Sequence, residues 1–257
     1  MEAAPILSVT NLRKAYGGVV AVDGVSFELH QGRILAIIGP NGAGKSTCFN
    51  MLGGQIRPDA GKIVMNGREV GGLTPQEVWR LGAARTFQIT ATFVSMTVRE
   101  NVQMVLLSRD RRVARCWSPA ASYAPEEADR LLQLVGMRAL AERTCGTLAY
   151  GDLKRVELAM ALASGPRLLL MDEPTAGMAP AERLALMELV HSLVAREGLS
   201  VLFTEHDMDV VFGHADHIVV LNRGRIIASG ASDYIRANRA VQEVYLGGGT
   251  MYGADGC

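Results

Sequence analysis

The chain has no net charge: 26 lysines and arginines balance 26 aspartates and glutamates over 257 residues. The broad positive field that attracts nucleic acid or an anionic membrane is therefore missing, no nucleic-acid partner is expected, and any anion site must be built locally. Apolar residues make up 49% of the sequence, but glycines and charges interrupt them throughout. No run approaches the ~20 residues that span a bilayer. The opening residues Met1-Glu2-Ala3-Ala4-Pro5 lack the basic region of a secretory signal, so a cytosolic chain is expected. The cysteines Cys48, Cys116, Cys145 and Cys257 form no C-x-x-C pair, which speaks against a zinc knuckle or a redox motif and for free thiols in a reducing compartment. Cys48 falls on the first turn of an expected helix, where a thiol pKa tends to drop, yet packing into the core is the better reading of it.

Short runs of Ile, Val and Leu bounded by Gly or polar residues alternate with segments of helical period, the pattern of a parallel α/β sheet. Residues 34–38, 168–171 and 201–204 are continuous apolar runs suited to strands buried on both faces. Residues 6–9 and 25–29 read as earlier strands, and 61–67 as a hairpin strand ending in an Asn-Gly turn. Thr74-Pro75-Gln76-Glu77 and Thr97-Val98-Arg99-Glu100 are helix starts of the capping-box type, and Ala124-Pro125-Glu126-Glu127 opens a third helix. Strand signals cease after Gln88, which predicts a helical subdomain inserted over 89–163. Leu186, Leu189, Val190, Leu193 and Val194 share one helical face, as packing on a sheet requires. A hairpin over 218–228, one terminal helix over 232–246 and a flexible Gly-rich tail over 247–257 complete the reading. There is no internal repeat.

Gly39-Pro40-Asn41-Gly42-Ala43-Gly44-Lys45-Ser46-Thr47 satisfies G-x-x-x-x-G-K-[ST] between a buried-strand pattern and a helical one. Glycines let the backbone curl so that successive N–H groups point at phosphate oxygens, and the following helix adds its positive end. In such a loop Lys45 reaches the β and γ phosphates and the Ser46 hydroxyl ligates Mg²⁺. The run 168–171 then delivers Asp172 and Glu173 at the carboxyl end of a buried strand, where α/β proteins bind ligands. Alone, an Asp-Glu pair is an ordinary solvated strand end. Beside a phosphate loop, Asp172 suits the Mg²⁺ shell and Glu173 a general base for water. ATP and Mg²⁺ are the expected cofactors.

The order of further motifs from Leu7 to Leu246 resembles the ATP-binding subunits of ABC transporters. The resemblance implies that Tyr16 stacks on adenine, that Gln88 senses Mg²⁺ and the attacking water, and that His206 contacts the γ phosphate. It also implies that Leu148-Ala149-Tyr150-Gly151-Asp152 is the signature segment, completing the nucleotide site of an opposing subunit. The usual form there is Leu-Ser-Gly-Gly-Gln. Ala149 therefore lacks a hydroxyl, and Asp152 puts a carboxylate where an amide is usual. Ala179 replaces a common Asp or Asn and removes a helix cap worth about 1 kcal/mol.

The implied fold is an α/β P-loop NTPase cassette spanning 6–246. It has a mixed-sheet core with an antiparallel β subdomain (6–88 and 164–231), an inserted helical subdomain (89–163) and a C-terminal helix (232–246). Gly177-Met178, Arg85-Thr86-Phe87-Gln88, the stretch 96–102 and Val244-Tyr245-Leu246-Gly247 resemble the branched-chain amino-acid importer subgroup. The resemblance implies an ATPase on the cytoplasmic face of the inner membrane. Its implied partners are a second, unlike ATP-binding subunit, two permease subunits and, indirectly, a solute-binding protein. The cargo implied is branched-chain amino acids or related amides. The alternatives are the ATPase of a urea, aromatic-acid or lipopolysaccharide system, or a non-transport ABC protein of DNA repair or translation, which would carry long coiled coils or a second phosphate loop. A P-loop small-molecule kinase is the remaining one, and it would not need Gln88, the signature segment and His206 in series. Arg109, Arg111, Arg112 and Arg115 read most simply as a solvated loop.

Overall fold

The computed structural model describes residues 4–86, 92–111 and 123–246. Two sheets form the frame. The first is antiparallel, in the order β2 (Val19–Leu29), β1 (Leu7–Tyr16), β4 (Ala60–Met65), β5 (Arg68–Glu69). The second has six strands in the order β10 (Arg225–Gly230), β9 (His217–Asn222), β3 (Ile34–Ile38), β8 (Ser200–Thr204), β7 (Leu168–Asp172), β6 (Ala83–Thr86). It is parallel from β6 to β9, and β10 returns antiparallel.

The continuous apolar runs are explained by this sheet, which is covered on both faces. Leu35, Ile37, Leu168, Leu170 and Leu202 face the antiparallel sheet and α1 (Lys45–Leu52), packing with Leu7, Val25, Phe49 and Ile63. Their neighbours Ile34, Ala36, Ile38, Leu169 and Phe203 face the opposite way, into a second core. That core takes in α3 (Val98–Arg109), α4 (Pro125–Leu134), α5 (Tyr150–Ala163), α6 (Pro180–Glu197) and α7 (Met208–His214).

β1 and β2 run further than the sequence pattern predicts, because bulges break the alternation without ending the pairing. Asn11 takes a left-handed φ of 48° within β1, and the strand continues to Tyr16. The Asn66-Gly67 turn joins β4 to β5 with both residues at positive φ, as a type I′ hairpin requires. α2 (Pro75–Arg80) and α3 begin at the expected capping boxes. The Thr74 and Thr97 side chains accept from the N–H of Glu77 and Glu100, whose carboxylates accept in return from the two threonine N–H groups.

Among the described residues of 89–163 there are helices and a single isolated bridge, Thr97 to Thr144, but no strand. The apolar face of α6 is seated as expected, with Leu186, Val190, Leu193 and Val194 buried and Leu189 packed partly exposed against them. The terminal helix is not continuous. It divides into α8 (Ser232–Ala237) and α9 (Arg239–Leu246) at Asn238, whose backbone is extended and whose side-chain oxygen accepts from Ala240 N–H and Val241 N–H. A side chain that caps a new helix competes with continuing the old one. No helix among the described residues is long and apolar enough to cross a membrane.

Candidate nucleotide site

Because β3, β7 and β8 are parallel and in register, their carboxyl ends lie along one edge. Ile37 pairs with Thr204, and Thr204 with Asp172. Ligands of open α/β sheets bind outside that edge. The phosphate loop leaves β3 there and turns into α1. Gly39 and Gly44 are fixed by geometry. Both have positive φ, and a Cβ at either would collide with a backbone carbonyl oxygen, that of Leu221 or of Ala21 respectively. Only glycine can take both the dihedral and the approach.

One cavity on this edge is lined by Tyr16, Asn41, Gly42, Ala43, Gly44, Lys45, Ser46 and Thr47, and across from them Glu173 and His206. Tyr16 keeps 45% of its surface exposed and lies 5.6 Å, ring centre to ammonium, from Lys14. An exposed ring at the rim is available to stack on a base. Gly39 sits deeper, at the loop's base, where its carbonyl accepts from Lys45. Lys45 itself is 6% exposed. Its ammonium donates to the carbonyls of Gly39 at 2.7 Å and Pro40 at 3.2 Å. Burial lowers its pKa, partly offset by the carboxylates of Glu173 and Asp172.

The carboxylate pair is held by Thr204, a residue to which the sequence reading gave no role. Its hydroxyl donates to Asp172 Oδ1 at 2.7 Å and accepts from Glu173 N–H at 3.1 Å. Arg85 Nη2 donates to Asp172 Oδ2 at 2.9 Å. Glu173 takes a left-handed φ of 49°, a strained state of about 1–3 kcal/mol of the kind found at functional sites. Its Oε1 lies 2.8 Å from His206 Nε2. Beneath them Glu205, 3% exposed, accepts from the N–H and hydroxyl of Thr175 and from His206 N–H. It ties the turn after Glu173 to the His206 loop. Glu205 also went unread in the sequence; the signal available was a carboxylate at the end of a buried strand with no cation nearby in sequence.

A hydroxyl (Ser46) and a carboxylate (Asp172) on one edge are hard oxygen donors. They are too few for an all-protein cage, and no group of three metal-ligating side chains occurs among the described residues. Mg²⁺ binds in that manner, through one or two protein groups with phosphates and waters completing its shell. Gln88 lies outside the described residues. Cys48 is buried, and its thiol is pushed up to about 12 by burial, as a core role requires.

The signature segment is not part of this cavity. Ala149 begins α5 without a side-chain cap, and Asp152 sits in its first turn. Tyr150 lies over Gly177, with its ring 3.5 Å from where a Cβ would stand, and 5.4 Å from the Lys154 ammonium. Ala179 also starts its helix uncapped by its side chain, but Glu182 accepts from its N–H and recovers part of the loss.

Comparison with known proteins fits this geometry. The ABC transporter family profile matches residues 22–176, more than half of the chain. The high-affinity branched-chain amino acid transport ATP-binding protein BraF of Pseudomonas aeruginosa is 38% identical over 253 residues, covering 95% of this chain and 98% of BraF. LivG of Salmonella typhimurium, of the same description, is 40% identical over 250 residues at the same coverage. Among solved structures, an ATP-binding cassette of an ABC transporter in its ADP conformation superposes with a TM-score of 0.85 at 32% identity, over 95% of this chain and all of that one. A nucleotide-free cassette gives 0.83 at 30% identity, over 94% and 99%. With a phosphate loop, a carboxylate pair and a histidine gathered on one sheet edge, and with relatives matched end to end, the chain belongs to the ABC transporter family as one of its ATP-hydrolysing cassettes.

Proposed function

We propose that this cassette powers a branched-chain amino-acid importer from the cytoplasmic face of the membrane. The observation that carries the reading is the single cavity joining Tyr16 and the loop of Asn41 to Thr47 to Glu173 and His206, together with near full-length likeness to BraF and LivG. Adenine stacks on Tyr16. Lys45 exchanges the carbonyls of Gly39 and Pro40 for β and γ phosphate oxygens, which the N–H groups from Gly42 to Thr47 also meet. Ser46 and Asp172 would hold Mg²⁺, which when bound would supply charge neutralisation at those phosphates. Glu173 polarises the attacking water as general base. His206, already hydrogen-bonded to Glu173, orients it and meets the γ phosphate, and Gln88 completes the water's surroundings.

The groove of Gly53, Gln55, Val78, Trp79, Ala84 and Glu157 lies between the β6 side of the core and α5. It receives a short helix of one of two permease subunits, which a solute-binding protein feeds. The second cassette is an unlike subunit. Each site joins one chain's phosphate loop to the other's signature, and this chain supplies a complete loop but an Ala149 and Asp152 signature. Losing a hydrogen bond to a charged phosphate forfeits about 1.5–3 kcal/mol, so a homodimer would carry the defect twice.

Vesicles reconstituted with the permease, partner cassette and binding protein test the reading. Labelled leucine uptake should require ATP and vanish with Lys45→Ala, which also weakens nucleotide binding. Glu173→Gln in this chain should lower ATP turnover more than the matching change in the partner, and Ala149→Ser should narrow the gap. Equal losses with no effect of Ala149→Ser defeat the unequal-site reading, and uptake of another solute in place of leucine defeats the cargo assignment.

A further inference from the structure

Arg85 stands between two places that the proposed function uses separately. Its side chain is 15% exposed, and its guanidinium donates from Nη2 to Asp172 Oδ2 at 2.9 Å. From Nη1 it donates to Asn50 Oδ1 and Gln55 Oε1, each at 2.9 Å, and its carbon lies 5.9 Å from the centre of the Phe49 ring. Asn50 and Phe49 belong to α1, the helix that the phosphate loop opens. Arg85 and Gln55 are also walls of the groove that contains Trp79. Nε is buried and, among the described residues, has no hydrogen-bond partner.

Asp172 therefore has a protein donor on each oxygen, Thr204 on Oδ1 and Arg85 on Oδ2. A guanidinium keeps its charge at any accessible pH and holds a carboxylate by a planar fork. A divalent ion arriving at Asp172 meets that positive charge at close range, with repulsion that burial strengthens.

We propose that Arg85 is a positioning residue for Asp172: it stands in for the metal while the carboxylate is metal-free, and on metal binding it shifts its hold toward Gln55 and the groove. The unused Nε donor fits a side chain built for two arrangements. By linkage, an occupant that draws Arg85 toward the groove releases Asp172 for the metal by the same factor. This rests on reading Asp172 as the metal carboxylate and the groove as the docking site.

The test uses the purified cassette with Trp117→Phe, which leaves Trp79 as the one remaining tryptophan of two; ATP turnover is read on the same variants paired with the partner cassette, whose signature completes the site. Mn²⁺ affinity is read by electron paramagnetic resonance with a non-hydrolysable ATP analogue, and Trp79 fluorescence is followed as metal is added. Arg85→Met keeps the stem over Phe49 and removes the charge. Mn²⁺ should then bind about three- to tenfold more tightly, ATP turnover should fall, and the Trp79 response to metal should disappear. Arg85→Lys, which keeps the charge and the fold, should hold Mn²⁺ affinity near that of the parent while turnover falls through loss of the fork. Mn²⁺ affinity that weakens in step with turnover, or stays unchanged in Arg85→Met, overturns the proposal, as does a Trp79 response that survives the substitution. Failure of a fluorescent ATP analogue to bind the parent protein with Mg²⁺ present, or binding indifferent to Lys45→Ala, instead overturns the reading of the nucleotide site.

Discussion

Replacing Glu205 by Ala strips the acceptor from three donors at once: Thr175 N–H at 2.8 Å, the Thr175 hydroxyl at 2.7 Å and His206 N–H at 3.1 Å. Thr175 is 2% exposed, so water does not readily take the place of the lost carboxylate, whereas His206 is exposed and its N–H can be hydrated. A buried donor left unsatisfied costs about 1–3 kcal/mol. Two such donors, one of them a hydroxyl that can reorient, give a loss of about 2–4 kcal/mol. In a chain of this size about 1 kcal/mol moves the melting temperature by about 2–4 °C, so Glu205→Ala should melt about 5–15 °C lower. The hydrogen bonds of Glu205 go to Thr175 and His206 and not to the phosphate loop, so ATP affinity of the folded variant should stay near the parent's. Turnover should fall, because the segments carrying Glu173 and His206 are no longer tied together. Calorimetry and equilibrium binding of a fluorescent ATP analogue, run beside a phosphate-release assay, separate the three quantities. A variant that melts with the parent, or that loses affinity and turnover equally, refutes the tether.

Glu173→Gln should still bind ATP but hydrolyse it far more slowly and persist as a closed dimer with its partner; chromatography with ATP checks this, and a monomeric variant with undiminished turnover contradicts the role of the base. Cys48 should resist iodoacetamide in the native protein at pH 8 and react on unfolding, since burial keeps it a protonated thiol; native labelling detected by mass spectrometry would refute this. The same shift carries a sign: with a folded pKa of about 12 against 9.0 unfolded, the unfolded chain loses this proton first, and stability falls as pH rises above about 9. Asn238→Ala should destabilise the end of the chain by about 1 kcal/mol through loss of the α9 cap, read as faster amide exchange in α9 with the nucleotide cavity unaffected.

What the sequence made legible was whatever a short stretch decides for itself. The loop from Gly39 to Thr47 needs its glycines because two backbone carbonyls crowd it, and both capping boxes join residues three apart. The runs 34–38 and 168–171 read as doubly buried because the sheet has a core on each face. What escaped depends on partners distant along the chain. Thr204 acquires its role from register with Asp172, 32 residues away, and Arg85 from a carboxylate 87 residues away. Asn238 was missed for a different reason, since the apolar period carries across the break and only its side-chain bonds reveal the new cap.

Lys45, bonded to the carbonyls of its own loop, has a consequence for the end of the cycle. A buried ammonium stripped of partners would cost several kcal/mol, and product could then leave only against that penalty. Gly39 and Pro40 offer the ammonium somewhere to return to within 3.2 Å. In the role proposed for Lys45, departing phosphate is replaced by these two neutral oxygens, already within hydrogen-bond reach of the ammonium.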